Sequence, residues 1–159
     1  MRTTWLVRSR RVARFARGER GAALVEFAIV LPILLMIVFG IVDFARAFYT
    51  QNNLTSAVRE GARWASVQPI ANLNTAAGVQ QIVKGFFNNA NNTAAKFGGP
   101  PVTDVQITLT KTPAGNNPEY VTVAVTGYQF QWWTPLPGMV GFPAGTMSAQ
   151  AKFRWERRQ

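Results

Sequence analysis

The chain has 159 residues, a formal net charge of +10, no cysteine and no histidine. Without cysteine there is no disulfide framework, and the lack of both residue types removes the usual zinc and haem ligands, cysteine nucleophiles and serine–histidine pairs. We therefore expect a protein that is not an enzyme and that holds no metal and no cofactor. The charge is uneven, because residues 1–21 carry seven arginines against one glutamate, a net of +6.

The basic segment is followed by an apolar run over residues 22–42, in which the exceptions are Glu26, Pro32 and Gly40. As a helix, a run of this length just spans a hydrocarbon core of about 30 Å. Because the arginines precede the run, the positive-inside rule predicts a cytoplasmic N-terminus and places residues beyond about 43 outside. The sequence therefore predicts a single-pass membrane protein.

A carboxylate within the apolar run makes Glu26 a candidate functional residue, since a charge in the bilayer costs about 2.5–3.5 kcal/mol on insertion scales. Its position near the start of the run also allows it to reach the interface or to favour the helix dipole. The order Gly21, Ala22, then Glu26 and Phe27 resembles the processing site of type IV pilin-like proteins. In those proteins cleavage follows glycine, and glutamate is the fifth residue of the mature chain.

Two further segments make the resemblance more specific. Asp-Phe-Ala-Arg stands at residues 43–46, and Ala-Val-Arg-Glu-Gly-Ala-Arg-Trp-Ala stands at residues 57–65. Together with the Glu-Phe pair and Pro32, they resemble the TadE-like family of tight-adherence (Flp) pilus assembly proteins. The resemblance extends over residues 17–66. Pro32 itself lies deep in the run, where we expect it to kink the helix.

The resemblance implies that a prepilin peptidase cuts the Gly21–Ala22 bond at the cytoplasmic face and discards residues 1–21. It also implies that Glu26 pairs with the new ammonium of Ala22, commonly on a neighbouring subunit, and that Glu26 and Phe27 serve recognition during processing and assembly. The expected product is a non-catalytic minor pilin or pseudopilin of the bacterial inner membrane, with a periplasmic C-terminal domain. Its expected partners are the membrane, the peptidase, other pilins and the assembly platform, while neither a nucleic acid nor a small-molecule substrate is evident.

Two alternatives remain open on the residues alone. An ordinary secretory signal would be cut after the small-residue site at 45–47, giving a chain that starts at Phe48, although the apolar run is longer than such signals have. A plain signal anchor would keep residues 1–21 and would carry an external domain that acts as a binding module. Cleavage after Gly21 distinguishes the pilin-like interpretation from both.

Beyond the apolar run, residues at helical spacing predict that the helix continues over residues 43–66. The expected apolar stripe comprises Phe44, Ala47, Phe48, Leu54, Ala57, Val58, Ala62 and Ala65.

Charged residues on this continuation have the spacing of helical ion pairs. Asp43 and Arg46 are three residues apart, as are Glu60 and Arg63, and both pairs are predicted to form. Arg59, with Glu60 and Arg63, forms either a solvated helical face or a contact with another subunit.

Residues 67–159 are predicted to form a small external domain of the α+β class. Residues 76–88 are predicted to form a short helix. A turn-like segment at 113–118 suits a hairpin between the first two strands. Alternation of apolar and polar residues then predicts three strands of one antiparallel sheet, packed on the helix. The alternating segments are 105–110, 121–126 and 147–155.

Aromatic and proline residues are concentrated in residues 128–143. Three interpretations are open for this segment: a loop that packs its aromatic rings on the sheet, a patch that touches the outer membrane leaflet, or a subunit contact.

Overall fold

The computed structural model describes residues 15–115, 117–134, 138, 141 and 145–156, with side chains from residue 21 onward. The chain divides into two compact units, Met1–Gly40 and Ile41–Gln159. The arginines at positions 2, 8, 10, 11 and 14 of the predicted leader lie outside the described residues.

A single helix, α1, covers Phe15–Ser66 and ends where the apolar pattern predicts. It begins before Gly21 and continues through Pro32 without a break in its assignment. In the first unit its apolar side chains are mostly exposed, as a surface that faces lipid would be. Among the described residues, α1 is the one helix long and apolar enough to cross a membrane, judged by length and composition.

The second unit has a hydrophobic core between the C-terminal half of α1, a second helix and a sheet. A short 3-10 helix at Ile70–Leu73 follows α1, and α2 then covers Ala77–Phe87, within one residue of the predicted bounds. Val79, Val83 and Phe87 are the buried residues of α2. From α1, the fully buried core residues are Leu54, Ala57, Val58, Ala62 and Ala65.

The sheet has three antiparallel strands in the order β1-β2-β3. They are β1 at Ile107–Thr112, β2 at Tyr120–Phe130 and β3 at Gly145–Arg154. The predicted α+β class, with a long N-terminal helix, a short helix and a three-stranded sheet, is confirmed. Val105 does not join β1, because it lies in a short 3-10 helix at Asp104–Gln106 and is 91% exposed.

A β-bulge extends β2 into the aromatic segment. The register with β3 shifts between Val125 and Tyr128, and Gly127 there has a φ of +69°, which glycine adopts at little cost. Beyond the bulge, Tyr128 and Phe130 are buried in the core and Trp132 packs partly against it. The interpretation of local packing is therefore confirmed for these three residues, although two of them are strand rather than loop. Residues 135–137, 139–140 and 142–144 lie outside the described residues.

Candidate functional site

The predicted processing motif lies within α1, in the first unit. Gly21, Ala22, Glu26 and Phe27 are all exposed and helical. A methyl group placed on Gly21 would meet none of the described residues within 4 Å, so packing against the described part of the chain does not require glycine there. Glycine inside a helix is about 1 kcal/mol less favourable than alanine, which makes this point of α1 easier to open.

The spacing between Ala22 and Glu26 places them one turn apart on the same side of α1. A cut before Ala22 would therefore create an ammonium about 6 Å along the helix axis from the Cα atom of Glu26, whose side chain leans toward the N-terminus. The helical arrangement can accommodate the proposed charge pair within one chain or between two parallel helices. Gly21 is helical, whereas a peptidase needs an extended residue before the scissile bond, so cleavage at this point would require local unwinding of α1.

Asp43, the first residue after the apolar run, is buried in the second unit with 2% exposure. One of its carboxylate oxygens accepts a hydrogen bond from the backbone N–H of Trp133 at 3.2 Å, and the other accepts one from the Thr134 hydroxyl. The predicted Asp43–Arg46 ion pair is wrong. The carboxylate of Asp43 is instead hydrogen-bonded to the segment that follows β2.

The guanidinium of Arg46 lies against aromatic rings rather than against a carboxylate. Its central carbon is 4.1 Å from the ring centroid of Trp133 and 5.7 Å from that of Phe130. These are distances at which a cation is attracted to a ring face. These contacts therefore hold residues 131–134 on α1. We call the four residues that make them, Asp43, Arg46, Trp133 and Thr134, the Asp43 clasp.

Tyr128 stands next to the clasp at the end of β2. Its hydroxyl donates a hydrogen bond to the carbonyl oxygen of Pro100 at 3.1 Å, and its ring packs edge-on against that of Phe87. Burial raises the pKa of the Tyr128 phenol, while the positive charge of Arg46 acts in the opposite direction. The neutral phenol is thus the form that the fold favours.

The predicted apolar stripe is wrong at its N-terminal end. Phe44 and Phe48 are 63% and 70% exposed, whereas Asp43 and Thr50 are buried and Ala47 packs against the core. The inward face of α1 is therefore polar at two positions in this region. A search for apolar residues alone could not identify it.

The predicted Glu60–Arg63 pair is confirmed on the exposed side of α1, with 2.6 Å between Glu60 Oε1 and Arg63 Nη2. The hydrogen bonds from Arg63 lower the pKa of the Glu60 carboxyl below its ordinary value of 4.5. The stabilisation is therefore present above that value and is lost as the pH falls through the lowered pKa. Arg59 is also exposed. A contact of these three residues with another subunit stays a prediction.

The opposite side of the same segment is a close-packing surface that sequence reasoning missed. A methyl group on Gly61 would come within 2.7 Å of Val83 Cγ2 on α2, so glycine at this point allows the two helices to approach. Gly78 on α2 likewise leaves room for the Trp64 ring of α1, because a methyl group there would lie 2.2 Å from that ring. Small residues flanking Gly61, at Ala57 and Ala62, were the signal that could have identified this contact.

Comparison with known proteins agrees with the N-terminal motifs. Residues 21–63 match the family model described as TadE-like protein. Neither a curated protein nor a solved structure matches the chain. The matched residues include the Gly21–Glu26 motif, the apolar run, Asp43 with Arg46, and the packing contact at Gly61. The resemblance predicted from the sequence is thus confirmed: over residues 21–63 the chain is similar to the TadE-like family, which is associated with tight-adherence pilus systems.

Proposed function

We propose that this chain is a minor pilin or pseudopilin that acts, without catalysis, in the assembly of a tight-adherence pilus after a prepilin peptidase removes residues 1–21. The family match carries the proposal, because it begins at Gly21, the residue before the proposed cut, and includes Glu26.

The environment of the Gly21–Ala22 bond supports processing at this point. Both residues are exposed, and none of the side chains that the structure describes lies within 4 Å of the position that a Gly21 methyl group would occupy. A membrane-embedded peptidase can therefore reach the bond from the cytoplasmic side once the helix opens there. Removal of the leader discards its arginines and leaves an ammonium at Ala22.

Glu26 is the proposed assembly residue. Its carboxylate is costly in lipid when alone, and so is an unpaired ammonium, but the two charges tolerate the membrane better as a pair. When the ammonium belongs to another pilin, the pair favours docking of that subunit in one register. The single apolar span would keep the chain in the inner membrane, with the second unit on the periplasmic side.

The test is recruitment of a Glu26→Ala variant, made as the full chain in cells that contain its peptidase and its pilin partners. The substitution leaves the ammonium of the partner unpaired, and an unpaired charge in lipid costs about 2.5–3.5 kcal/mol. The amount of pilin that co-purifies should therefore fall tenfold or more. Membrane insertion should be unchanged, since the substitution makes the span more apolar.

The matched control is Glu119→Ala, which removes an exposed carboxylate from the second unit. Its co-purification should equal that of the unsubstituted chain. Equal recovery of pilin partners with Glu26→Ala and with Glu119→Ala would contradict the proposed role of Glu26.

A further inference from the structure

The side chain of Trp133 is 71% exposed, which is unusual for a tryptophan whose backbone is held in place. The backbone N–H of Trp133 donates a hydrogen bond to Asp43 Oδ1, and the neighbouring Thr134 hydroxyl donates one to the other carboxylate oxygen. Asp43 follows the apolar run 22–42 directly. The Asp43 clasp therefore fixes an exposed tryptophan at the level of α1 where the apolar run ends.

Two other exposed aromatic side chains lie on α1 just beyond that level. Phe44 is 63% exposed and Phe48 is 70% exposed. At 1.5 Å per residue they stand about 1.5 Å and about 7.5 Å beyond Asp43 along the helix axis. The polar interfacial layer of a bilayer is about 5–7 Å thick on each side. If residues 22–42 fill the hydrocarbon core, Phe44 therefore lies within that layer and Phe48 lies at its outer edge.

We infer that Trp133, Phe44 and Phe48 form an aromatic collar that enters the headgroup boundary of the lipid leaflet on the side where α1 leaves the membrane. Tryptophan is enriched at this boundary because its ring has an apolar body and a polar N–H. The collar goes beyond the proposed role in pilus assembly, since it requires a bilayer and no other pilin.

The charges around Trp133 favour lipid as the occupant. The carboxylate of Asp43 is buried and accepts two hydrogen bonds, so it presents no exposed negative charge to a phosphate-rich surface. The guanidinium of Arg46 lies 4.1 Å from the Trp133 ring, which fixes the ring and places a positive charge beneath it. This combination of an exposed indole and a cation suits the headgroup region, where anionic phosphates and apolar chains meet.

Because the chain contains no cysteine, a single introduced cysteine can carry a spin label at one position. Gln131→Cys places the label at an exposed residue beside the clasp, and Ala71→Cys places a control label at an exposed residue beyond the far end of α1. The full chain is reconstituted in vesicles of phosphatidylethanolamine and phosphatidylglycerol. Accessibility of each label to a water-soluble nickel complex is then measured by electron paramagnetic resonance.

The label at residue 131 should be about threefold less accessible to the nickel complex than the label at residue 71. Trp133→Ser should raise its accessibility to the level of residue 71, and Phe44→Ser with Phe48→Ser should raise it without altering the clasp. Phe153→Ser, which removes another exposed aromatic ring, should leave it unchanged.

Full accessibility at residue 131 in vesicles, or protection that persists both in Trp133→Ser and in the double phenylalanine variant, would overturn the proposal. Protection that disappears when the protein is diluted in lipid would identify a second copy of the chain as the occupant and would overturn it equally. An unaltered pilin co-purification in Trp133→Ser, alongside lost protection, would separate the collar from the assembly role.

Discussion

Gly61→Leu is expected to lower the free energy of unfolding of the second unit by about 3 kcal/mol. A methyl group at Gly61 already comes within 2.7 Å of Val83 Cγ2 and 3.4 Å of Val79 Cγ1. Both valines are fully buried, and their branched side chains have few alternative rotamers, so they cannot move aside for a leucine. The two helices would have to separate.

The measurement is thermal unfolding of the purified full chain, followed by near-ultraviolet circular dichroism. For a unit of this size the midpoint should fall by about 10–15 °C. Gly85→Leu is the matched control, since a methyl group at Gly85 on α2 meets nothing within 4 Å. That variant should be neutral or slightly stabilised, because leucine is about 0.8 kcal/mol better than glycine in a helix. Equal midpoints for the two variants would contradict the packing role of Gly61.

Asp43→Ala is expected to destabilise the second unit by about 2–3 kcal/mol, because it removes a charged acceptor of two hydrogen bonds. The backbone N–H of Trp133 and the hydroxyl of Thr134 would lose their partner. Asp43→Asn should lose about half as much, since the amide keeps one oxygen acceptor. The same thermal unfolding measurement applies, and hydrogen exchange at Trp133 should report the loss of the clasp directly.

Asp104→Ala is the matched control for the clasp. Asp104 pairs with Lys84 at 2.8 Å, but its side chain is 55% exposed. Such a pair contributes about 0–1 kcal/mol. A destabilisation by Asp43→Ala no larger than that of Asp104→Ala would show that the clasp does not hold residues 131–134.

Sequence patterns predicted the elements whose periodicity is uninterrupted. α1 ends at Ser66 where helical spacing ends, and the alternation of valines at 121, 123 and 125 correctly identified β2. The pattern failed at the bulge. Odd-numbered residues are buried up to Val125, whereas after the register shift the buried residues are Tyr128 and Phe130. A period of two cannot be followed across a bulge, so the end of β2 was included in the aromatic segment.

The error at Asp43 has a different physical origin. The spacing rule for Asp43 and Arg46 assumes that both side chains are free on a solvated helix. In the fold, a loop 90 residues further along the chain supplies donors to Asp43, and aromatic rings cover Arg46. Such long-range partners leave no local signal, whereas the Glu60–Arg63 pair on the exposed face formed as the spacing predicts.

We propose that the chain is a processed pilin-like protein, and the position at which the mature protein begins is the sharpest test of that proposal. The measurement is intact mass, with N-terminal peptide analysis, of the membrane-extracted chain made with and without its prepilin peptidase. We expect a chain that begins at Ala22 only when the peptidase is present. An uncleaved chain under both conditions, or one that begins at Phe48, would contradict it.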